Sequence, residues 1–183
     1  MRTPLSGGTP ELVDTIPDIA DFRCSPAGPC SVMQTRGRTP GHIVSVLDPA
    51  KGKGREIYRE NELFSGATDL SPDGKWLATA VKTKIIVRSY STGAVVREID
   101  VRGVSQLFTL EYASDGRGFY TGEFRPTEAR QLYVDPSGNA TVLWRQPGSW
   151  SLIWGHPSPD GRNLALLMYT TDANVYTVDL KFS

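Results

Sequence analysis

The sequence lacks most of the features that announce a chemistry. It has two cysteines, two histidines and three methionines in 183 residues. Formal net charge is zero, from 20 basic and 20 acidic side chains. No basic excess or stripe is present to neutralise phosphates, so nucleic-acid binding is not expected. The densest basic stretch, Lys51, Lys53, Arg55 and Arg59, is interleaved with Glu56 and Glu60 and reads as a solvated loop and strand face. No apolar run approaches the ~20 residues that span a bilayer. Met1 to Thr15 carries one arginine and no apolar core, so it is not a signal peptide, and the chain as written is expected in the cytoplasm. If it is a fragment of a membrane-anchored regulator, the expected compartment is the periplasm instead. No segment sustains an apolar period of 3.6, which predicts almost no helix.

Catalytic signatures are missing too. A serine-hydrolase elbow, Gly-x-Ser-x-Gly, does not occur. Gly52-Lys53-Gly54 has neither the spacing nor the following residue of a phosphate loop and reads as a turn. His42 and His156 lie far apart, without the short ligand spacing of a zinc site, and are expected as surface or tunnel histidines. Neither a metal nor a cofactor is expected. Trp76, Trp144, Trp150 and Trp154 could stack a sugar or a base, but such rings more often fill space between sheets, and packing is the expectation.

What is present is a repeat. Ser71-Pro72-Asp73-Gly74 returns as Ser158-Pro159-Asp160-Gly161, and more loosely as Ala113-Ser114-Asp115-Gly116 and Ser25-Pro26-Ala27-Gly28. The closing glycines follow one another at 46, 42 and 45 residues, the length of one propeller blade. Proline presets the first turn residue, aspartate bonds back to nearby amides, and glycine accepts the left-handed conformation that closes the hairpin. After Gly74 come Trp76–Val81 and Ile85–Tyr90, apolar on both faces. Val95–Val101 follows, with Glu98 and Asp100 alternating against Ile99 and Val101. Two strands buried on both sides followed by one with a wet face describe the outer part of a blade.

The fold expected is therefore all-β: a β-propeller of four blade-like repeats of four antiparallel strands, at about 19–66, 67–106, 107–150 and 151–183. The rival, a β-sandwich, does not require the same turn phrase at each interval. Residues 1–18 form an N-terminal extension. Within it, Glu11–Ile16 reads as an orphan strand that either closes the ring on the last blade or belongs to a lost upstream blade. An open arc is favoured, and its bare end faces would favour self-association.

The phrase Ser-Pro-Asp-Gly followed by an apolar strand resembles the Tol-B-like, WD-repeat-like propellers of bacteria. Arg23-Cys24-Ser25-Pro26…Cys30, Leu47-Asp48-Pro49…Lys51-Gly52-Lys53-Gly54-Arg55-Glu56 and Ser158–Ala165 resemble, more narrowly, the C-terminal propeller of acidobacterial kinase or winged-helix regulators. This chain has no kinase motif, winged helix or membrane helix, so only the role of an input module carries over. The resemblance implies a non-enzymatic module that binds a protein or a small polar ligand. The alternative is the accessory propeller of a serine peptidase whose catalytic domain is elsewhere.

Two groups of residues stand out. Five residues before each turn glycine stand Arg23, Asp69, Glu111 and His156, all ionisable. These positions fall on the innermost strand of each blade and are expected around one end of the central tunnel, with Asp21 and Thr109 one layer along. A mixed-sign mouth suits a small polar ligand or a peptide terminus; a merely wet tunnel would be polar as well. Cys24 and Cys30 flank the first turn and should oppose each other across a hairpin. They would form a disulfide if the domain is exported and remain two thiols if it stays in the cytoplasm.

Overall fold

The computed structural model describes residues 3, 6–37, 39–61, 65–148 and 152–169. Among them are fourteen strands and no helix. The strands form four antiparallel sheets, each a meander in chain order. The first contains β1 (Ile19–Cys24), β2 (Cys30–Arg36), β3 (Thr39–Asp48) and β4 (Gly52–Glu60). The second contains β5 (Ser65–Leu70), β6 (Trp76–Val81), β7 (Lys84–Ser89) and β8 (Val95–Asp100). The third contains β9 (Glu111–Tyr112), β10 (Phe119–Phe124), β11 (Glu128–Val134) and β12 (Ala140–Pro147). Of the fourth, β13 (Leu152–Pro157) and β14 (Leu164–Tyr169) are described. The expected strand Val175–Leu180 lies outside the described residues. β5 begins at Ser65, inside the span assigned to the first repeat.

The turns explain why the sheets repeat. In the second blade Gly74, at φ +70°, donates its amide to the Ser71 carbonyl, while Asp73 receives the Ser71 hydroxyl and the Lys75 amide. Ser158-Pro159-Asp160-Gly161 reproduces this set bond for bond, with the Asn163 amide on the Ser158 hydroxyl as Trp76's is on Ser71. With alanine at 113 the third turn loses the hydroxyl bonds and keeps Arg117 N–H to Asp115. In the first turn the Ser25 hydroxyl turns outward and donates to the Ser71 carbonyl at 2.8 Å, joining two blades.

Blades stack through the faces that the sequence makes apolar. β1 and β2 pack on β5, β5 on β9, and β9, β10 and β11 on β13. Between the first and second blades lie Val44, Ile57, Leu70 and Leu77; between the second and third lie Ile85, Val87, Leu107, Leu110, Phe119 and Leu132. The outer turns also dock on the preceding blade. A Cβ on Gly93 would stand 2.0 Å from the Ile57 carbonyl oxygen, so only glycine fits there.

The end faces are less covered. Ile19 and Phe22 on the first blade are 51% and 63% exposed, and Leu167 on the fourth is 62% exposed. Glu11–Ile16 is not a strand: Glu11 makes a single bridge, and the rest of the segment has no regular structure. It crosses the first blade, where the Asp14 carboxylate accepts the Lys53 amide at 2.8 Å and sits against Gly52. Pro10 and Pro17, at either end, remove two amides that a longer ladder would need.

Candidate functional site

Each innermost strand brings one ionisable side chain to the middle of the arc: Arg23 on β1, Asp69 on β5, Glu111 on β9 and His156 on β13. Three of them meet. Arg23 Nη1 lies 3.0 Å from Glu111 Oε1, so a side chain of the first blade reaches the third past the inner strand of the second. His156 Nδ1 approaches the same oxygen at 3.2 Å. Arg23 Nε is also held by Asp21 Oδ2 at 2.9 Å. Asp69 joins them through the backbone and by charge: Tyr112 N–H donates to its Oδ2 at 2.7 Å. Burial, then the negative charge of Glu111, push the Asp69 carboxyl up to about 7. Burial also raises Glu111, and the Arg23 guanidinium opposes the rise.

Thr109 is not part of this layer. It is 2% exposed, receives the Gly122 amide on its hydroxyl and donates towards the Ile153 carbonyl. The chain before β9 is irregular and paired with Glu123 only at Leu107, so strand alternation does not extend back to 109. Gly122 opposite leaves room for the threonine between the third and fourth blades.

The ring has an acidic excess, because Asp21, Asp69 and Glu111 face one arginine and one histidine. It can hold a cationic or hydrogen-bonding group, and any such ligand must compete with ion pairs already made across the arc. The chemistry it supports is recognition of charge.

Other side chains depart from their sequence reading. His42 is neither a surface nor a tunnel residue. It is 4% exposed, bonds Tyr58 Oη at 3.0 Å, and burial holds its pKa at about 4. Tyr58 continues to Thr79 Oγ1 at 2.7 Å, and the Arg88 guanidinium lies 4.1 Å from the Tyr58 ring centroid. This polar seam between the first two blades has no periodic signature, because its members come from four strands. Trp154 packs against Phe108 at 6.1 Å between ring centroids. Trp144 does not fill space between blades. It is 47% exposed on the outermost β12, where a bulge leaves Leu143 unpaired. Trp150 lies outside the described residues. Cys24 and Cys30 are directly paired across the first hairpin and joined by a disulfide.

Four radial antiparallel sheets in sequence order, inner strand to inner strand, decide the architecture. The fold is a β-propeller. TolB from Acinetobacter baumannii superposes with a TM-score of 0.70 and 21% identity, over 94% of this chain and 43% of that one. Hydrazine synthase from Kuenenia stuttgartiensis matches at 0.60 and 20%, over 82% and 43%. The Swd1 propeller domain from Myceliophteria thermophila matches at 0.58 and 15%, over 81% and 48%. At these identities the likeness is one of fold, and the chain spans less than half the length of each of the three. No family model and no curated protein matches the sequence.

Proposed function

We propose that this propeller is a non-enzymatic binding module, the sensing or interaction part of a bacterial regulatory or envelope protein. Its contact point is the ring of Arg23, Asp69, Glu111 and His156. The observation that carries this reading is that one ionisable side chain from every blade occupies the same place before the turn, and two of them, Arg23 and His156, converge on a single oxygen of a third, Glu111. Packing alone does not call for charge at four matching positions, and burying charge costs free energy unless it is partnered. The acidic excess favours a ligand with an ammonium or guanidinium group, such as a peptide amino terminus.

The test is a ligand-observed NMR screen of small polar molecules and short peptides with free termini. It compares the wild type with the Asp69→Ala/Glu111→Ala double variant, with Asp69→Asn/Glu111→Gln as a control for folding. At least one binder is expected to weaken about tenfold or more in the double variant, as loss of a charge-assisted contact implies. Binders that are indifferent to the substitutions would leave the ring as solvated lining.

The disulfide supports an exported or envelope location, because such bonds persist in oxidising compartments. Protein alkylated in its native compartment before reduction is expected to show Cys24 and Cys30 unmodified. Two alkylated cysteines would place the module in a reducing compartment and remove this support.

A further inference from the structure

Between the second and third blades, away from the ring, a groove of about 340 Å³ opens beside the turns. Its floor is aromatic and aliphatic. Tyr112 and Phe119 meet at a tilt with centroids 4.7 Å apart beside Val87, and each of the three is no more than 7% exposed. Its walls are accessible: Trp76 is 38% exposed and Val96 is 50% exposed.

Three details set this groove apart from ordinary packing between blades. The first is a β-bulge on β8. Arg88 pairs with Val95 and Val87 with Arg97, so Val96 is an extra residue. The bulge breaks the alternation and lets Val96 and Arg97 line the same groove, the kind of re-aiming that bulges perform. The second is unspent positive charge. Arg23, Arg59, Arg125, Arg130 and Arg145 each pair with a carboxylate. Arg97 and Arg117, which line the groove from the two blades, pair with none among the described residues; Arg97 donates only to the Pro136 carbonyl. The neighbouring Asp73 is already held by Ser71 and Lys75. The third is Tyr112, which lines the groove with its ring largely buried and whose hydroxyl bonds to no described residue.

We propose that this groove docks an extended acidic peptide segment, with an apolar side chain set between Trp76 and Val96 and an adjacent carboxylate between Arg97 and Arg117, within reach of the Tyr112 hydroxyl. Guanidinium groups suit a carboxylate in geometry as well as in charge. A segment with aromatic or aliphatic anchors supplies the hydrophobic part of the contact. The exposed Val95, next along β8, extends the apolar surface beyond the cavity, as an elongated occupant requires. The proposal deepens the reading of the chain as a binding module but does not use the ring.

The experiment is fluorescence anisotropy on the full chain at low ionic strength. The probe is a labelled, end-blocked peptide alternating glutamate with leucine and phenylalanine; its counterpart has glutamine for every glutamate. The acidic peptide is expected to bind at least about tenfold more tightly than the glutamine peptide. Arg97→Glu/Arg117→Glu should abolish that preference, Trp76→Ala should weaken binding of both, and the His156→Ala variant, which changes the ring without touching Tyr112, should bind as the wild type does. Circular dichroism of each variant confirms the fold. Equal binding of the two peptides, no binding to the wild type, or wild-type binding by a folded double-arginine variant would overturn the proposal. So would a small aryl carboxylate that binds as tightly as the peptide. Loss of binding on changing the ring alone would instead assign the peptide to the ring.

Discussion

Relative to the wild type, Asp69→Asn is expected to gain about 3 kcal/mol of stability as pH rises from about 4 to 7, and His42→Gln is expected to lose about 3 kcal/mol over the same interval. The signs follow from the two environments. His42 is held at about 4 against an ordinary 6.5, by burial first, with Arg88 adding and Glu60 opposing. At pH 7 it is neutral in both folded and unfolded states. Below 6.5 the unfolded chain takes up a proton that the folded chain refuses until about 4, so this residue makes stability fall as pH falls. Asp69 acts in reverse. Its carboxyl is raised to about 7 against 3.8, so the folded chain keeps a proton that the unfolded chain has released, and stability falls as pH rises. Each substitution removes one slope and leaves the other. Burial raises Glu111 too, a slope in the same direction that both variants keep. Urea unfolding of the wild type and both variants across this range measures the differences. Parallel curves would mean that Asp69 and His42 are hydrated and titrate normally.

Arg125→Ala is expected to cost about 3 kcal/mol or more, the penalty for stranding a buried charge. Glu123 is 1% exposed, and its Oε1 receives Arg125 Nε at 2.8 Å, the Ser105 amide at 2.8 Å and the Ser105 hydroxyl at 3.1 Å. Its other oxygen has no hydrogen bond and faces Arg130 at 3.8 Å. The double variant Arg125→Ala/Glu123→Leu should recover part of the loss, because it removes the charge together with its partner. Chemical denaturation of the four members of this cycle gives the coupling. Full additivity would mean that water compensates Glu123 when Arg125 is gone. The contact matters to the ring as well, since Ser105 and Leu107 tie the irregular chain before β9 to β10 and so set where Glu111 begins.

The turn phrase and its spacing were sufficient for the fold, because a hairpin turn is decided by residues within a few positions of one another. Ser71, Asp73 and Gly74 make nearly all of their bonds inside the turn, and Ser158, Asp160 and Gly161 repeat them. The positions of Arg23, Asp69, Glu111 and His156 could be read off the same repeat, since equal distance from an equal turn puts them at equal places on the inner strands. That register stopped at Thr109, because the strand does. Contacts between blades are another matter. That Arg23 passes the second blade to reach Glu111, that His42 is sealed under Tyr58 and Arg88, and that Arg97 and Arg117 share a groove with Tyr112 all depend on how sheets far apart in sequence face each other. Glu11–Ile16 shows the limit most clearly. Its composition suits a strand, but a strand needs a free edge in register, and the structure offers it the face of the first blade, where Asp14 finds the Lys53 amide. Local bonding determined the blades; only the stacking of one blade on another decided which charges meet, which are buried and which are left for a partner.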